Sequence, residues 1–550
     1  MKLQFFSRRQ DISIRTLLIT GGFGFLFSLC CVCGWRLDQI GVCFGGGASS
    51  AFVTLGLAIV GTIPAAVFFM LLLMGIESLE KTETPSEEKA GNLRFAISAL
   101  VVLLLGQIPI FLAYYPSVFT YDAEGQMYQV IAYDFSTHHP LLHTLFMGMF
   151  LKLGERIGSM NTAMAYHSVV QMLLVDVILV YTLLYLKKRG VNPIARWAIL
   201  LFYAFFPMNS ILILSTTKDV LFAAFSLWLL ICVDRVFVKE YDPETGLLKK
   251  GAYTALEIAP ICCMLMRNNA LHALIPTMLV LWLILRIKTE KRTKEKTLIT
   301  LLCSIVLFLL ISGGMKTMLH ASAGSPREML SIPIQQIART RVLHYEEMSS
   351  EDKAQIDQVI DPEWYDRYNE HLADPIKERL RFDEPAKFVK CWAHFLGRYP
   401  GDYIDAFLLT TEGLWYPEDR SAARIYGEGV GTGFGLLSTD MRRMPAGYEV
   451  TRDSKLPWLF DLCERLVTGN SFERVPVIRL LFKPGFYFWT YMIWLMYCIY
   501  QRKWSKIGAG VFAGMYALTL LLSPAILMRY CFFLVLGVPV LWALVKGGSD

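Results

Sequence analysis

Twelve stretches of this chain are apolar over, or nearly over, the length a helix needs to cross a bilayer: about 16–34, 51–74, 94–113, 161–186, 195–214, 219–238, 252–267, 270–287, 297–315, 484–500, 507–523 and 525–545. A helix rises about 1.5 Å per residue and the hydrocarbon core is about 30 Å thick, so a span takes about 20 residues. Inside lipid every backbone N–H and C=O must be satisfied within the segment, which makes such stretches helices. The expected fold class is mainly α: a polytopic transmembrane helix bundle of about 12 spans with an extracytoplasmic soluble domain between spans 9 and 10. Composition agrees, with 54% hydrophobic and only 18% charged residues. The net charge of +6 comes from short clusters between apolar runs, which argues against a nucleic-acid partner.

Lys and Arg clusters resist translocation and so report orientation. Arg8/Arg9, Lys187/Lys188/Arg189, Lys249/Lys250, the run Lys288 to Lys296 and Arg502/Lys503 fall on one face if both termini are cytoplasmic. The same bookkeeping makes the apolar stretch Pro140 to Leu153 an interfacial or re-entrant helix on the outer face, since counting it as a span would put Lys187 to Arg189 outside. The first apolar run lacks a small-residue cleavage site and reads as a retained span, not a signal peptide. A multi-pass protein of a bacterial-type plasma membrane is the expectation.

On this reading residues 1–93 hold an N-terminal cytoplasmic segment and spans 1–2, and 94–315 a transmembrane core with an outer loop at 114–143. Residues 316–483 form the extracytoplasmic domain and 484–550 the last three spans. Ser350 to Ile360 (SEDKAQIDQVI) has helical spacing with Ser349 or Ser350 as cap. Tyr426 to Leu437 is glycine-rich and reads as a loop, with no βαβ context for a dinucleotide fingerprint. Most of the twelve cysteines sit in apolar runs as small hydrophobes. Cys391 and Cys463 lie in the polar segment, where a bridge is open.

Two groups of residues can carry chemistry. The outer loop YYPSVFTYDAEGQMYQVIAYDFSTHHPLLH gathers Tyr121, Asp122, Glu124, Asp134, His138, His139 and His143 near the membrane boundary, where partial desolvation tunes acids and imidazoles for proton transfer. Solvated loop residues and helix caps are the bland reading, and metal binding by the histidines is a further one. The second group stands where spans should emerge on the same face: Lys218 and Asp219, Arg267 and Asn268, and Arg529. Ionisable groups at membrane depth are costly and often line a polar cavity. Three cations at one level suit an anion such as phosphate, although snorkelling to lipid phosphates would also explain them.

Taken in order, YYPSVFTYDAEGQ, HHPLLH and the late MRYCFFLVLGVP are similar to segments of the GT-C superfamily of multipass glycosyltransferases, which includes protein O-mannosyltransferases and lipid A aminoarabinose transferases. The segments SIPIQQIARTRVLH and WYPED resemble stretches of a bacterial branch placed near it. The resemblance implies transfer of a sugar from a polyprenyl-phosphate donor held in the bilayer to a cell-envelope glycan, polymer or protein acceptor. It implies Asp122, with Glu124 beside it, as catalytic base and Arg529 as the residue that holds donor phosphate, with Asp219 a weaker match to a second acid. Arg267, Lys218, His138, His139, Asn268 and Tyr121 complete the expected substrate site. No cofactor is expected, no metal ligand is assigned, and a divalent metal stays open. An undecaprenyl-linked glycan polymerase or ligase relying on His138, His139 or His143, a lipid-linked substrate transporter or flippase, and a ligand-binding scaffold are the alternatives.

Overall fold

The computed structural model describes residues 13–79, 91–238, 249–288, 291–381, 384–420, 436–437, 444–467 and 471–546. Arg8, Arg9 and the glycine-rich stretch up to residue 435 therefore lie outside the described residues. The protein is mainly helical, with a single two-stranded ribbon among the described residues.

The first helices are α1 (Ile14–Ile40), α2 (Gly47–Leu79), α3 (Asn92–Ala113), α4 (Tyr121–Ala132), α5 (Leu141–Ile157) and α6 (Met160–Lys188). There follow α7 (Pro193–Phe205), α8 (Pro207–Ile213), α9 (Lys218–Phe237), α10 (Lys250–Met266), α11 (Asn269–Lys288) and α12 (Lys291–Met318). A helical unit then comprises α13 (Ser331–His344), α14 (Ser350–Asp357), α15 (Asp374–Lys377), α16 (Pro385–Arg398) and α17 (Pro400–Trp415). The chain ends with α18 (Pro457–Val467), α19 (Pro484–Tyr500), α20 (Trp504–Leu520) and α21 (Phe532–Lys546).

Among the described residues eight helices are long and apolar enough to cross a membrane, nine if the bent pair α7–α8 is one span. The expected span at 195–214 is that pair, bent by 61°. The break falls at Phe206–Pro207, where proline has no N–H to continue the ladder. The stretches 252–267, 484–500 and 507–523 are helices of 17 residues each. Pro140 to Leu153 falls in α5, a 17-residue helix packed on α4 and α6 and not among those eight.

Burial sorts the bundle. The span windows of α9 and of Met528–Val545 are 78% and 83% buried, so they form its centre. Those of α1, α2, α3 and α12 are 17–28% buried and turn many Leu, Ile, Val and Phe side chains outward, as lipid-facing helices do. α1 and α2 approach closely where a Cβ on Gly24 would stand 2.8 Å from the Ala66 nitrogen, and α3 meets α7 where a Cβ on Gly106 would collide with the Ala204 carbonyl oxygen.

The unit of α13 to α17 has its own core, built on Ile334, Ile337, Ile356, Ile376, Phe388 and Phe395. Ser349 caps α14, its Oγ accepting from Asp352 N–H at 3.2 Å, as the sequence predicts. The unit is tied to the turn between α1 and α2: Oδ2 of the buried Asp405 on α17 accepts from Cys43 and Gly45 N–H at 2.9 and 2.8 Å, and Oδ1 from Phe44 N–H at 2.9 Å. Arg339 on α13 adds a bond of 2.6 Å to Gly41 O. The two segments SIPIQQIARTRVLH and WYPED serve this join. SIPIQQIARTRVLH is α13, and in WYPED the ring of Tyr416 fills the space over Gly34 of α1. Cys391 and Cys463 are free thiols in different cores, so the bridge left open by sequence is absent.

Candidate functional site

The site forms where two chain segments run side by side at one end of the bundle. Val118 pairs in parallel with Ser215, Thr216 N–H donates to Val118 O at 2.8 Å, and the Thr120 hydroxyl donates to Thr216 O at 3.2 Å. The first segment continues as strand β1 (Phe119–Thr120), which pairs antiparallel with β2 (Leu436–Leu437), and then enters α4. The second enters α9. Two polar side chains of span α6 hold both segments down: Ser168 Oγ donates to Pro116 O at 3.0 Å, and Gln171 Nε2 donates to Ile213 O and Ser215 O at 2.7 Å each. Asp122 in the first turn of α4 thereby arrives beside Lys218 and Asp219 in the first turn of α9.

Both cations that meet Asp122 converge on one oxygen. Lys218 Nζ lies 3.1 Å and Arg529 Nη1 3.2 Å from Asp122 Oδ2. Among the described residues Oδ1 has no hydrogen-bond or ion-pair partner, and the Asp122 side chain is 25% exposed, so this oxygen is the open one. Arg529 also reaches Asp219 Oδ2 at 3.4 Å, and Arg267 closes on Asp219 Oδ1 at 2.6 Å. Thr217, which caps α9, donates from Oγ1 to Asp219 Oδ2 at 2.8 Å and accepts from Arg529 at 3.2 Å. Tyr530 lies under both guanidinium groups, 4.6 Å from that of Arg267 and 4.8 Å from that of Arg529.

His139 completes the group. Lys218 Nζ donates to its Nδ1 at 2.9 Å, so the lysine bridges carboxylate and imidazole. Burial, then the Lys218 ammonium, push the His139 imidazole down to about 2, so the ring is neutral and Nδ1 is free to accept. For Asp122, burial alone would raise the carboxyl. The charges of Lys218 and Arg529, with His139, outweigh it and hold Asp122 well below the usual carboxylate range. The His138–His139 segment is itself clamped by the chain leaving α12. Thr137 N–H donates to Ser322 O at 2.9 Å, and Gly324 N–H donates to Thr137 Oγ1 at 3.0 Å.

Of the residues expected from sequence, Asp122, Lys218, Asp219, Arg267, Arg529 and His139 come together. Glu124 does not. It stands two positions after Asp122 on α4, about 200° round the helix, and among the described residues it has no hydrogen bond or ion pair. Of the two acids expected there, Asp122 alone stands at the cluster. His138 is exposed at the rim, with its ring packed edge-on against His139 and Nδ1 3.8 Å from Glu328. Asn268 is also exposed and donates to Thr137 O at 3.4 Å. His143 is fully buried, with Nδ1 3.2 Å from Gln126 Oε1, and Asp134 is exposed. The side chain of Tyr121 lies outside the described residues. Among the described residues no three His, Cys, Asp or Glu side chains gather so that they could hold a metal ion.

A family model described as "Family of unknown function (DUF6020)" matches residues 132–545. The chain belongs to this family. The DUF6020 match takes in Lys218, Asp219, Arg267 and Arg529 and begins after Asp122. No curated protein and no solved structure matches the chain.

The DUF6020 match also takes in residues the sequence reading passed over. Thr217 carries a signal of its own, a threonine just before an acidic first helical turn, which is the N-cap pattern. Ser168 and Gln171 carry another, since polar side chains inside an apolar span need partners. Tyr530 stands next to Arg529 in the MRY segment.

Proposed function

We propose that this protein is an inverting, lipid-phosphate-sugar-dependent glycosyltransferase of the GT-C type, moving a sugar from a polyprenyl-phosphate donor to a cell-envelope glycan, polymer or protein acceptor. The observation that carries the reading is the meeting of Asp122 with Lys218 and Arg529 on one oxygen, while the other oxygen stays open. An acceptor hydroxyl attacks the anomeric carbon as the bond from that carbon to the phosphate oxygen breaks. Its proton passes to Asp122 Oδ1, and the bonding electrons leave with the lipid phosphate. Negative charge grows on that phosphate, and cations fixed in a desolvated site stabilise it. Lys218, Arg529 and Arg267 face the two carboxylates Asp122 and Asp219, so one positive charge is left over for an anion. Arrival of the phosphate would draw Lys218 and Arg529 off Asp122 and raise its basicity when the acceptor needs it.

The reading sets the bundle in a bacterial-type plasma membrane with both termini cytoplasmic, about twelve crossings, and the Asp122 end extracytoplasmic. On the same reading α13 to α17 lie outside and face the acceptor. The decisive experiment is purification in mild detergent followed by lipid mass spectrometry. A co-purified polyprenyl-phosphate hexose, lost in Arg529→Ala, supports the assignment. Lipid extracts free of any polyprenyl phosphate would remove it.

One observation favours a second reading, a lipid-linked substrate transporter. Asp176, fully buried midway along α6, has Gln107 Nε2 at 2.9 Å, and its Oδ2 is without a hydrogen-bond partner among the described residues. Buried acids at that depth often mark substrate or proton routes. Acceptor-independent movement of lipid-linked sugar across liposomes, abolished by Asp176→Leu, would select it.

A further inference from the structure

The chain between the helical unit and α19 carries an apolar surface that the described residues leave uncovered. On α18, Phe460 and Cys463 face inward while Trp458 and Leu462, one turn apart, are 65% and 46% exposed. Further on, Val475, Val477 and Ile478 are exposed as a near-continuous run, with Val477 at 76%. Val477 also has φ of +68°, a conformation costly for a β-branched residue. In water such a turn would combine backbone strain with bare apolar surface.

Its level relative to the spans is fixed. Just before α18, Lys455 N–H donates to Leu112 O at 2.8 Å and Asp453 N–H to Tyr115 O at 2.9 Å, which ties the segment to the end of α3. Tyr114 packs its ring against Phe460 at 5.0 Å and donates its hydroxyl to Glu464 at 3.0 Å. Along α3 the exposed Val101, Leu105 and Ile108 form part of the outward apolar belt, and Leu201 and Phe205 do the same on α7. The second patch runs through Phe482 straight into α19. The uncovered surface thus continues the belt that spanning helices present to lipid.

We propose that Trp458, Leu462, Val475, Val477 and Ile478 form a foot seated in the headgroup and upper acyl region of the bilayer leaflet at the Asp122 end. The chemistry matches such a seat. Trp has an apolar body with one polar N–H, and Arg465 and Arg474 are exposed around the patch to meet lipid phosphates. The last part of the stretch assigned from sequence to a soluble domain, 316–483, is then membrane-bound. The foot also bears on the site. Phe472 stacks on Phe482 at 4.6 Å, Phe482 meets Phe206 at 4.9 Å, and Phe206 stacks on Phe202 at 5.3 Å. The lipid-seated segment therefore braces the bend between α7 and α8, and α8 leads through Ser215 to Thr217 into Lys218 at the start of α9. The inference needs only a membrane-spanning bundle, not the transfer chemistry.

The full-length protein in vesicles of phosphatidylethanolamine and phosphatidylglycerol doped with a diazirine-acyl phospholipid provides the test. After irradiation, peptides carrying Trp458 and Val475 to Ile478 should be labelled as strongly as lipid-facing peptides of α3, and those of α16 several-fold less. The double variant Val477→Ser/Ile478→Ser should lower labelling of its own peptide several-fold and leave α3 unchanged. Labelling of the foot no higher than that of α16 would overturn the proposal.

Discussion

Arg529 Nη1 lies 3.2 Å from Asp122 Oδ2, across 407 positions of the chain. The contact joins the first turn of α4 to the residues that lead into α21, one of the most buried helices of the bundle. Arg529 is 3% exposed and Asp122 25%, so the cation is held by protein on nearly all sides and the carboxylate is reached from solvent. An arginine placed so deeply is fixed in position before any ligand comes, which is what stabilising a developing charge requires.

The first prediction concerns the open oxygen. Asp122→Asn keeps the shape of the side chain but cannot accept a proton, so transfer of labelled hexose from a polyprenyl-phosphate donor in membrane vesicles should fall about 10²–10⁴-fold, the usual contribution of a general base. Glu124→Gln should stay near wild type, because Glu124 makes no polar contact among the described residues. Equal losses in the two variants would count against a single base.

Asp219 separates structure from chemistry. It is 2% exposed and bonded to both Arg267 and Arg529. Asp219→Ala leaves buried cations without their partner, at a cost of about 3–5 kcal/mol. Its thermal unfolding in detergent should therefore come well below that of Asp122→Asn. A wild-type melting temperature would contradict the ion-pair geometry.

Asp405 gives a test far from the site. Its carboxylate accepts from three backbone N–H groups of the α1–α2 turn, and each donor left buried and unpaired costs about 1–3 kcal/mol. Asp405→Ala should speed hydrogen exchange at Cys43, Phe44 and Gly45 and lower stability. Unchanged protection at those amides would remove this carboxylate from the account of the join.

The buried imidazole of His139 makes stability depend on pH. Its folded value is held at about 2 against an ordinary 6.5, so as pH falls below 6.5 the unfolded chain binds a proton that the folded chain refuses. Stability should fall steadily as pH drops from about 6.5 toward about 2, and His139→Gln should flatten that slope. Asp122 is depressed too, so its share is present above the ordinary carboxylate value of 3.8 and is lost only at lower pH. The two windows overlap below pH 3.8, so the share of His139 is read alone between pH 6.5 and pH 3.8 of a thermal-unfolding series.

Much of the fold was legible because lipid leaves a chain few options: continuous apolar runs must be helices, and these are where they were expected. What was hidden depends on contacts between distant segments. The run 195–214 reads as one span, yet Pro207 breaks it, and the resulting α8 leads through Ser215 to Thr217 into Lys218 at the start of α9. At the site, charge type and expected level singled out Asp122, Lys218, Asp219, Arg267 and Arg529. The aromatic flank of Asp122 and the resemblance favoured it over Glu124, but that Glu124 turns away rests on where α4 begins and which face it turns to Lys218. Likewise Asp405 looks like any acid of a polar segment until its partners near residue 43 are known.

That carboxylate also bears on assembly order. The turn between α1 and α2 leaves the ribosome about 360 residues ahead of the group that completes it, so its three amides stay bare while most of the protein is still being made. The first hairpin can enter the bilayer early, but its tip becomes fixed only when α17 has folded and docked. A chain truncated before Asp405 should insert its opening spans and leave that tip open to proteases.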